Sequence, residues 1–262
     1  MKKELVTQRN PKSPIAEIFR TLRTNIQFMS SQKSLRTILV TSTMPGEGKT
    51  WISCNLAITF AQAGKKVVLI DADLRKGNLH KMFQLNPIPG LSNYLSGIDE
   101  NGEDGNNDIF KYVQRTEIEN LYAITAGNFP PNPSELLSSD ITSYMLNKLK
   151  EVFDIIILDG TPSILVTDSV ILSRVVDNTI IIASHKETKK DELNKVKKII
   201  ENVGGKIAGV VLNKMPVNID KYETKYYYSS SSLKSKQRNE VEKKEEIMKE
   251  LDDYFKNSND NI

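Results

Sequence analysis

A glycine-rich segment near residue 45 has the residue types that bind phosphate groups. An apolar run at residues 39–42 precedes the segment Pro45-Gly46-Glu47-Gly48-Lys49-Thr50. The two glycines let backbone N–H groups turn towards an anion, the lysine supplies a mobile positive charge for β- and γ-phosphates, and the threonine hydroxyl is a ligand for Mg²⁺. We predict that these six residues bind a nucleotide, although Thr43 stands where the strict pattern of such loops has a glycine.

Two other apolar runs end in aspartates. Residues 66–70 lead into Asp71 and Asp73, and residues 153–158 lead into Asp159. Alternation along a strand points the first two acids to one side, and the carboxyl ends of parallel strands lie along one edge of a sheet. A single aspartate at such a place is as often a helix cap. Three of them after a phosphate-binding loop predict a Mg²⁺ site made of Thr50, Asp71, Asp73 and Asp159.

Composition bounds the class of protein. With 262 residues, 39% of them hydrophobic, the chain has enough apolar surface for one domain and some length left for tails. The net charge is +3 and basic residues are interspersed with acidic ones, so we predict no nucleic-acid partner. The single cysteine, Cys54, lies among apolar residues and is interpreted as a small core residue. No signal peptide or run of about twenty apolar residues is present, so a cytoplasmic location is expected.

Strand-like and helix-like patterns alternate along the chain. Strands are predicted at residues 37–42, 67–71, 121–125, 154–159, 178–183 and 207–212. Helices are predicted at residues 14–29, 50–63, 133–150, 167–175 and 189–203. This rhythm is typical of an α/β fold with a doubly wound, mostly parallel sheet.

The character of the chain changes after residue 214. Four tyrosines, then four serines and a basic polar stretch, predict a flexible tail; the tyrosines are Tyr222, Tyr226, Tyr227 and Tyr228. After residue 239, apolar residues at helical spacing among Glu and Lys predict a charged amphipathic helix. We therefore divide the chain into an N-terminal helical segment (1–32), a nucleotide-binding domain (33–214) and a tail with a helix (215–262).

These motifs resemble those of the bacterial tyrosine kinases, the BY-kinase family, which partner membrane proteins that control capsular and exopolysaccharide export. Two more blocks of the chain are similar to the family, residues 89–95 and 125–137. The resemblance implies a P-loop NTPase in which the loop and the two acidic strand ends are the Walker A, A′ and B motifs. The chain departs from the family pattern at Gly77, where a proline is common, and at Gly160-Thr161-Pro162, where Thr-Pro-Pro is usual.

The resemblance also implies an assembly. The family's E-x-x-R-x-x-R element, which joins subunits into a ring such as an octamer, is matched by Glu17, Arg20 and Arg23. The four tail tyrosines stand where family members are phosphorylated by a neighbouring subunit. The implied partners are a transmembrane activator of the polysaccharide co-polymerase type, which recruits the protein to the membrane, and a cognate tyrosine phosphatase.

Tyrosine phosphorylation suits the predicted site. A phenol has a pKa near 10 and needs a base at neutral pH, and Asp71 is our candidate for that base. Lys49 would neutralise charge on the phosphates, and Asp73 completes the catalytic set by holding Mg²⁺ with Thr50 and Asp159. The nucleotide is expected to be ATP, because Pro216 occupies the place of the acid that guanine recognition needs, and Asn213 is expected to contact the base.

A partition or septum-placing ATPase of the Min and Par type is the alternative. Such ATPases share the sheet, the loop and the acids, but they carry a signature lysine where this chain has Met44. The tyrosine-rich tail also has no purpose in that interpretation. A non-catalytic scaffold gated by nucleotide would keep the loop, but the complete set of acids argues against it.

Overall fold

The structure, a computed structural model, describes residues 5–29, 35–98 and 108–216. The described residues up to 215 belong to one compact unit. The four tail tyrosines and the helix predicted after residue 239 lie outside the described residues. The predictions about them therefore stay predictions.

In the described ranges, seven strands form a single sheet in the order β3-β4-β2-β5-β1-β6-β7. Neighbouring strands are parallel except β3 and β4, which are antiparallel. The predicted doubly wound, mostly parallel sheet is confirmed. The strands are β1 Thr37–Ser42, β2 Val67–Asp71, β3 Gln114–Arg115, β4 Leu121–Ile124, β5 Ile155–Pro162, β6 Asn178–Ser184 and β7 Ile207–Asn213.

Helices cover both faces of the sheet, so the residues of β1 and β2 are all buried. One face packs against Leu56 and Phe60 of α3, and the other packs against Leu146 and Leu149 of α7. A short 3-10 helix spans Ile109–Tyr112. The α-helices are α1 Val6–Arg9, α2 Pro14–Phe28, α3 Lys49–Gln62, α4 Leu79–Phe83, α5 Leu91–Ser96, α6 Pro133–Ser138, α7 Asp140–Lys150, α8 Asp168–Leu172 and α9 Lys190–Asn202.

The six predicted strands and four of the five predicted helices are confirmed, with α8 shorter than expected. The prediction of one helix over 133–150 is wrong, because the chain is extended at Ser139 (φ −69°, ψ 154°) between α6 and α7. Its hydroxyl donates to the Leu136 carbonyl at 2.8 Å. A run of two serines and an aspartate competes with helical hydrogen bonding in this way, which the apolar spacing of the segment does not reveal.

The N-terminal segment packs on α3. The amide and hydroxyl of Thr7 donate to the Asn55 side chain at 3.0 and 2.8 Å, and the rings of Phe19 and Trp51 meet edge to face at 5.3 Å. Leu5, Phe19 and Ile26 are part of the same buried cluster as α3. Buried side chains of residues 5–28 therefore contribute to the core of the described unit.

The three residues predicted to join subunits have different settings. Glu17 and Arg20 form an ion pair at 2.6 Å on the surface of α2. Arg23 turns inwards and donates to the Thr59 carbonyl of α3 at 2.9 Å. No helix in the described ranges is long and apolar enough to cross a membrane.

Candidate active site

The glycine-rich loop connects β1 to α3 and depends on two left-handed glycines. Gly46 has φ +82° and Gly48, the residue before α3, has φ +99°. Residues with a Cβ rarely adopt such values. Lys49 and Thr50 then open α3, so the first free amides of that helix face the loop.

The Glu47 side chain holds this loop together. It is 3% exposed, and its carboxylate accepts hydrogen bonds from the Thr43 amide at 2.8 Å, the Thr43 hydroxyl at 2.7 Å and the Met44 amide at 3.0 Å. The hydroxyl of Thr188, just before α9, donates to the same carboxylate. Thr43 stands where the strict pattern has a glycine, and its hydroxyl is one of the groups that orient the loop. The Glu47 side chain thus belongs to the framework of the loop, and its predicted contact with a nucleotide stays a prediction.

Asn213, at the end of β7, also meets the loop. Its side-chain amide donates to the Glu47 carbonyl at 2.7 Å. A Cβ added at Gly48 would lie 2.2 Å from Asn213 Nδ2, which is closer than real Cβ contacts. The chain therefore needs a glycine at position 48 both for its φ angle and for this contact. Contact between Asn213 and a nucleotide base stays a prediction.

Asp71 and Asp159 are brought side by side by the sheet. They are register partners on the adjacent parallel strands β2 and β5, and their exposed fractions are 0% and 2%. Burial raises the pKa of Asp159 to about 6, against hydrogen bonds from Thr50 and Ser53 and the charge of Lys49. Burial and the charge of Asp159 likewise raise the pKa of Asp71 well above its ordinary value. Two buried neighbouring acids, one of which raises the pKa of the other, form a site where a cation is favoured.

Asp73 has a different environment from the other two acids. Because β2 ends at Asp71, strand alternation does not set the direction of Asp73. Its carboxylate accepts hydrogen bonds from the amides of Arg75 at 3.2 Å and Lys76 at 2.9 Å in the following turn. Asp71 is tied to the same turn, since it accepts from the Leu79 amide at 2.9 Å. In the part of the chain that the structure describes, no three His, Cys, Asp or Glu side chains gather as a metal-binding group.

Sequence reasoning missed several residues of this site. Ser53, one turn into α3, donates to Asp159 at 3.0 Å, and helical spacing from Lys49 was the available signal. Asp168 of α8 is fully buried and holds Arg75 through two hydrogen bonds of 2.7 and 3.0 Å. The hydroxyl of Ser134 donates to the same carboxylate at 2.6 Å. Nothing in the local sequence joins these last three residues, which lie at least 34 positions apart.

Cys54 and Gly160 show how closely the elements around the acids are packed. Cys54 is fully buried, as predicted, and burial together with the charges of Asp159 and Asp71 raises the pKa of its thiol. At Gly160 an added Cβ would meet the Ser169 hydroxyl at 2.4 Å. The strand β5 continues through Gly160 to Pro162. These are the residues at which the sequence departs from the family's usual Thr-Pro-Pro.

Comparison with known proteins agrees with this geometry. Residues 38–251 match the model of the CobQ/CobB/MinD/ParA nucleotide binding domain family. The chain is 36% identical over 213 residues to the tyrosine-protein kinase YwqD of Bacillus subtilis, covering 81% of this chain and 86% of that one. It is 36% identical to the tyrosine-protein kinase CpsD of Streptococcus pneumoniae over 83% and 92% of the two chains. The chain belongs to the bacterial tyrosine-protein kinases.

Solved structures place this kinase on the same fold as its relatives. The kinase domain of the Escherichia coli tyrosine kinase ETK superposes with a TM-score of 0.74 at 30% identity, covering 82% of each chain. The septum site-determining protein MinD of Pyrococcus horikoshii has a TM-score of 0.56 at 21% identity, which shows a shared fold. The Min and Par type of ATPase is thus a more distant relative than the kinases.

We expect Gly48→Ala to lower the free energy of unfolding by about 2–4 kcal/mol, because it adds strain and displaces the Asn213 hydrogen bond. Gly46→Ala and Gly64→Ala should cost only about 1–2 kcal/mol, because both positions have positive φ but open space around the added Cβ. Urea unfolding of the three nucleotide-free variants measures the difference. Equal losses in all three would show that the Gly48 contact contributes nothing.

Proposed function

We propose that the protein is an ATP-dependent tyrosine autokinase that phosphorylates its tail tyrosines in trans and thereby regulates capsular or exopolysaccharide synthesis and export. The buried pair Asp71 and Asp159, beside the loop that ends in Lys49 and Thr50, carries this proposal. The family membership supplies the class of acceptor. The acceptors are Tyr222, Tyr226, Tyr227 and Tyr228.

The residues of the site fit ATP and Mg²⁺. The left-handed glycines 46 and 48 leave backbone amides free of a covering Cβ, and the charge of Lys49 offsets only part of the effect of burial on Asp159. When bound, MgATP supplies the transferable phosphoryl group, and its Mg²⁺ neutralises part of the negative charge of the phosphates. Thr50 and Asp159 would hold the metal, with Asp71 and Asp73 at the same edge, and Asn213 would reach the base.

The protein's own contribution to the reaction is to orient groups and to move one proton. Asp71 would accept the proton of the substrate phenol as the phenolic oxygen bonds to the transferred phosphoryl group, and ADP would leave with the bridging oxygen. A raised pKa makes Asp71 a stronger base than an ordinary carboxylate. Lys49 balances the charge that remains on the leaving phosphates. Glu47, through Thr43 and Thr188, keeps the loop in the shape that these contacts need.

The proposed setting is cytoplasmic, with recruitment to the membrane by a transmembrane activator of the polysaccharide co-polymerase type. A cognate tyrosine phosphatase would reverse the modification, and no nucleic acid takes part. Assembly into a ring through Glu17, Arg20 and Arg23 would bring the tail of one subunit to the site of its neighbour.

We expect Lys49→Met to abolish tail phosphorylation and to weaken ATP binding. We expect Asp71→Asn to keep ATP binding within a few fold while turnover falls by about 100-fold or more, because general-base catalysis is lost. Calorimetric titration of ATP and a radiolabelled phosphate assay measure the two effects. Lys65→Met and Asp191→Asn, both on exposed residues, are the matched controls. An Asp71→Asn protein with parental turnover would exclude Asp71 as the base.

We expect simultaneous Tyr→Phe replacement at 222, 226, 227 and 228 to remove most self-phosphorylation and to leave phosphorylation of an added tyrosine peptide intact. The reason is that these tyrosines are substrates in the proposal and contribute nothing to catalysis. Mass spectrometry of the tail and a peptide assay give the readouts. Loss of both activities together with a lowered Tm would instead mean that the aromatic rings stabilise the fold.

We expect Glu17→Ala and Arg20→Ala to convert the ring into monomers, because this exposed pair is available to a neighbouring subunit. Analytical ultracentrifugation measures the oligomeric state of the parent protein and of each variant. Arg23→Ala is a poorer probe, since Arg23 also anchors α2 to α3. A parental sedimentation profile for both surface variants would contradict the assembly.

A further inference from the structure

A cavity of about 640 Å³ lies next to Asp71, and the proposed reaction does not use it. It begins at Gly77, where an added Cβ would stand 2.8 Å from Asp71 Oδ2 and 2.4 Å from the Ala126 side chain. Gly77 therefore borders both the cavity and the Asp71 carboxylate. Its side-chain walls include Arg75, Lys76, His80, Lys81, Ile88 and Phe129.

The ionisable side chains that line the cavity are all basic. Among the described residues that line it there is no aspartate or glutamate. Arg75 is neutralised by Asp168, but Lys81 donates only to the neutral Asn78 side chain at 2.9 Å. Lys76 forms no ion pair with any residue in the described part of the chain. Two lysine charges are thus left to attract an anion.

Two other lining residues of the cavity are apolar and exposed. Phe129 is 67% exposed and Ile88 is 41% exposed. A volume of 640 Å³ is far larger than a carboxylate or an inorganic phosphate needs, and it lies in the range of pockets that hold a side chain or small ligand. The walls therefore match a ligand that has both an aromatic ring and a terminal anion.

The substrate contains such a group after the first phosphorylation. Tyr226, Tyr227 and Tyr228 are consecutive, so one phosphorylated tyrosine is adjacent to the next acceptor. A phosphotyrosine carries about −1.5 to −2 charges at pH 7 and three strong acceptor oxygens, which lysine ammonium groups bind as point charges.

We infer that this cavity binds a phosphotyrosine of the substrate chain while a neighbouring tyrosine is phosphorylated at Asp71. The inference rests on the proposed kinase function and adds a substrate preference to it. A tail that carries one phosphate is a better substrate than an unmodified tail, so the cluster is phosphorylated in successive steps, each favoured by the one before.

The test uses three peptides of residues 219–230 in which Tyr226 is the acceptor, because Tyr222→Phe and Tyr228→Phe remove two of the other tyrosines. The three peptides differ only at residue 227. The first carries phosphotyrosine there, the second Tyr227→Phe and the third Tyr227→Glu. We expect the full-length parent protein to show a KM about tenfold lower for the phosphotyrosine peptide than for the Tyr227→Phe peptide. The double variant Lys76→Gln, Lys81→Gln should reduce this ratio to about one, and Lys76→Arg, Lys81→Arg should restore most of it. Thermal unfolding of each variant confirms that it is folded.

The outcomes separate the two proposals. If the parent phosphorylates no peptide, the proposed function fails. If it phosphorylates all three peptides with equal KM, or if the lysine variants keep the parental ratio, the kinase stands and the phosphotyrosine site is wrong. A Tyr227→Glu peptide that equals the phosphotyrosine peptide would show attraction of any anion and would also overturn the assignment.

Discussion

The structure depends on two carboxylates placed side by side where water is excluded. Asp71 and Asp159 end the apolar parts of neighbouring parallel strands, so the register of β2 with β5 sets them next to each other. Burying a charge costs several kcal/mol per ion unless it is compensated, and the raised pKa values of both acids express that cost. The loop that carries Lys49 and Thr50 lies against this pair, so the Thr50 hydroxyl and the charge of Lys49 offset part of that cost at Asp159.

Hydrogen bonds from Thr43 to Glu47 hold the glycine-rich loop, although Thr43 is the residue at which the loop departs from the strict sequence pattern. Thr43 replaces a glycine and donates through both its amide and its hydroxyl to the buried carboxylate of Glu47. Thr188, just before α9, and Asn213, at the end of β7, donate hydrogen bonds to the same loop. The phosphate-binding segment is therefore attached to two other parts of the chain, which preorganises the amides that face a nucleotide.

The turn after β2 joins the acids to the rest of the site. Asp71 and Asp73 accept amides of this turn, and Arg75 within it is clamped by the fully buried Asp168. The far side of the same turn forms the basic wall of the cavity. One short segment thus contacts the candidate base and the third acid and carries the basic side chains that line the cavity.

Sequence by itself determined the parts that depend on neighbours along the chain. Long apolar runs specified the central strands, the glycine-rich segment specified the phosphate loop, and the aspartates at strand ends specified the acids, because strand period and loop chemistry are local properties. It failed at Ser139, where side-chain hydrogen bonds outweighed helical spacing. It also did not reveal short elements such as α4 and α5, which contain too few residues to show a period.

Tertiary structure alone decided that Glu47 faces its own loop, that Arg23 turns towards Thr59, and that Asp168 reaches Arg75 from 93 positions away. Each of these depends on a partner that only the packing of the sheet and helices brings within hydrogen-bond distance.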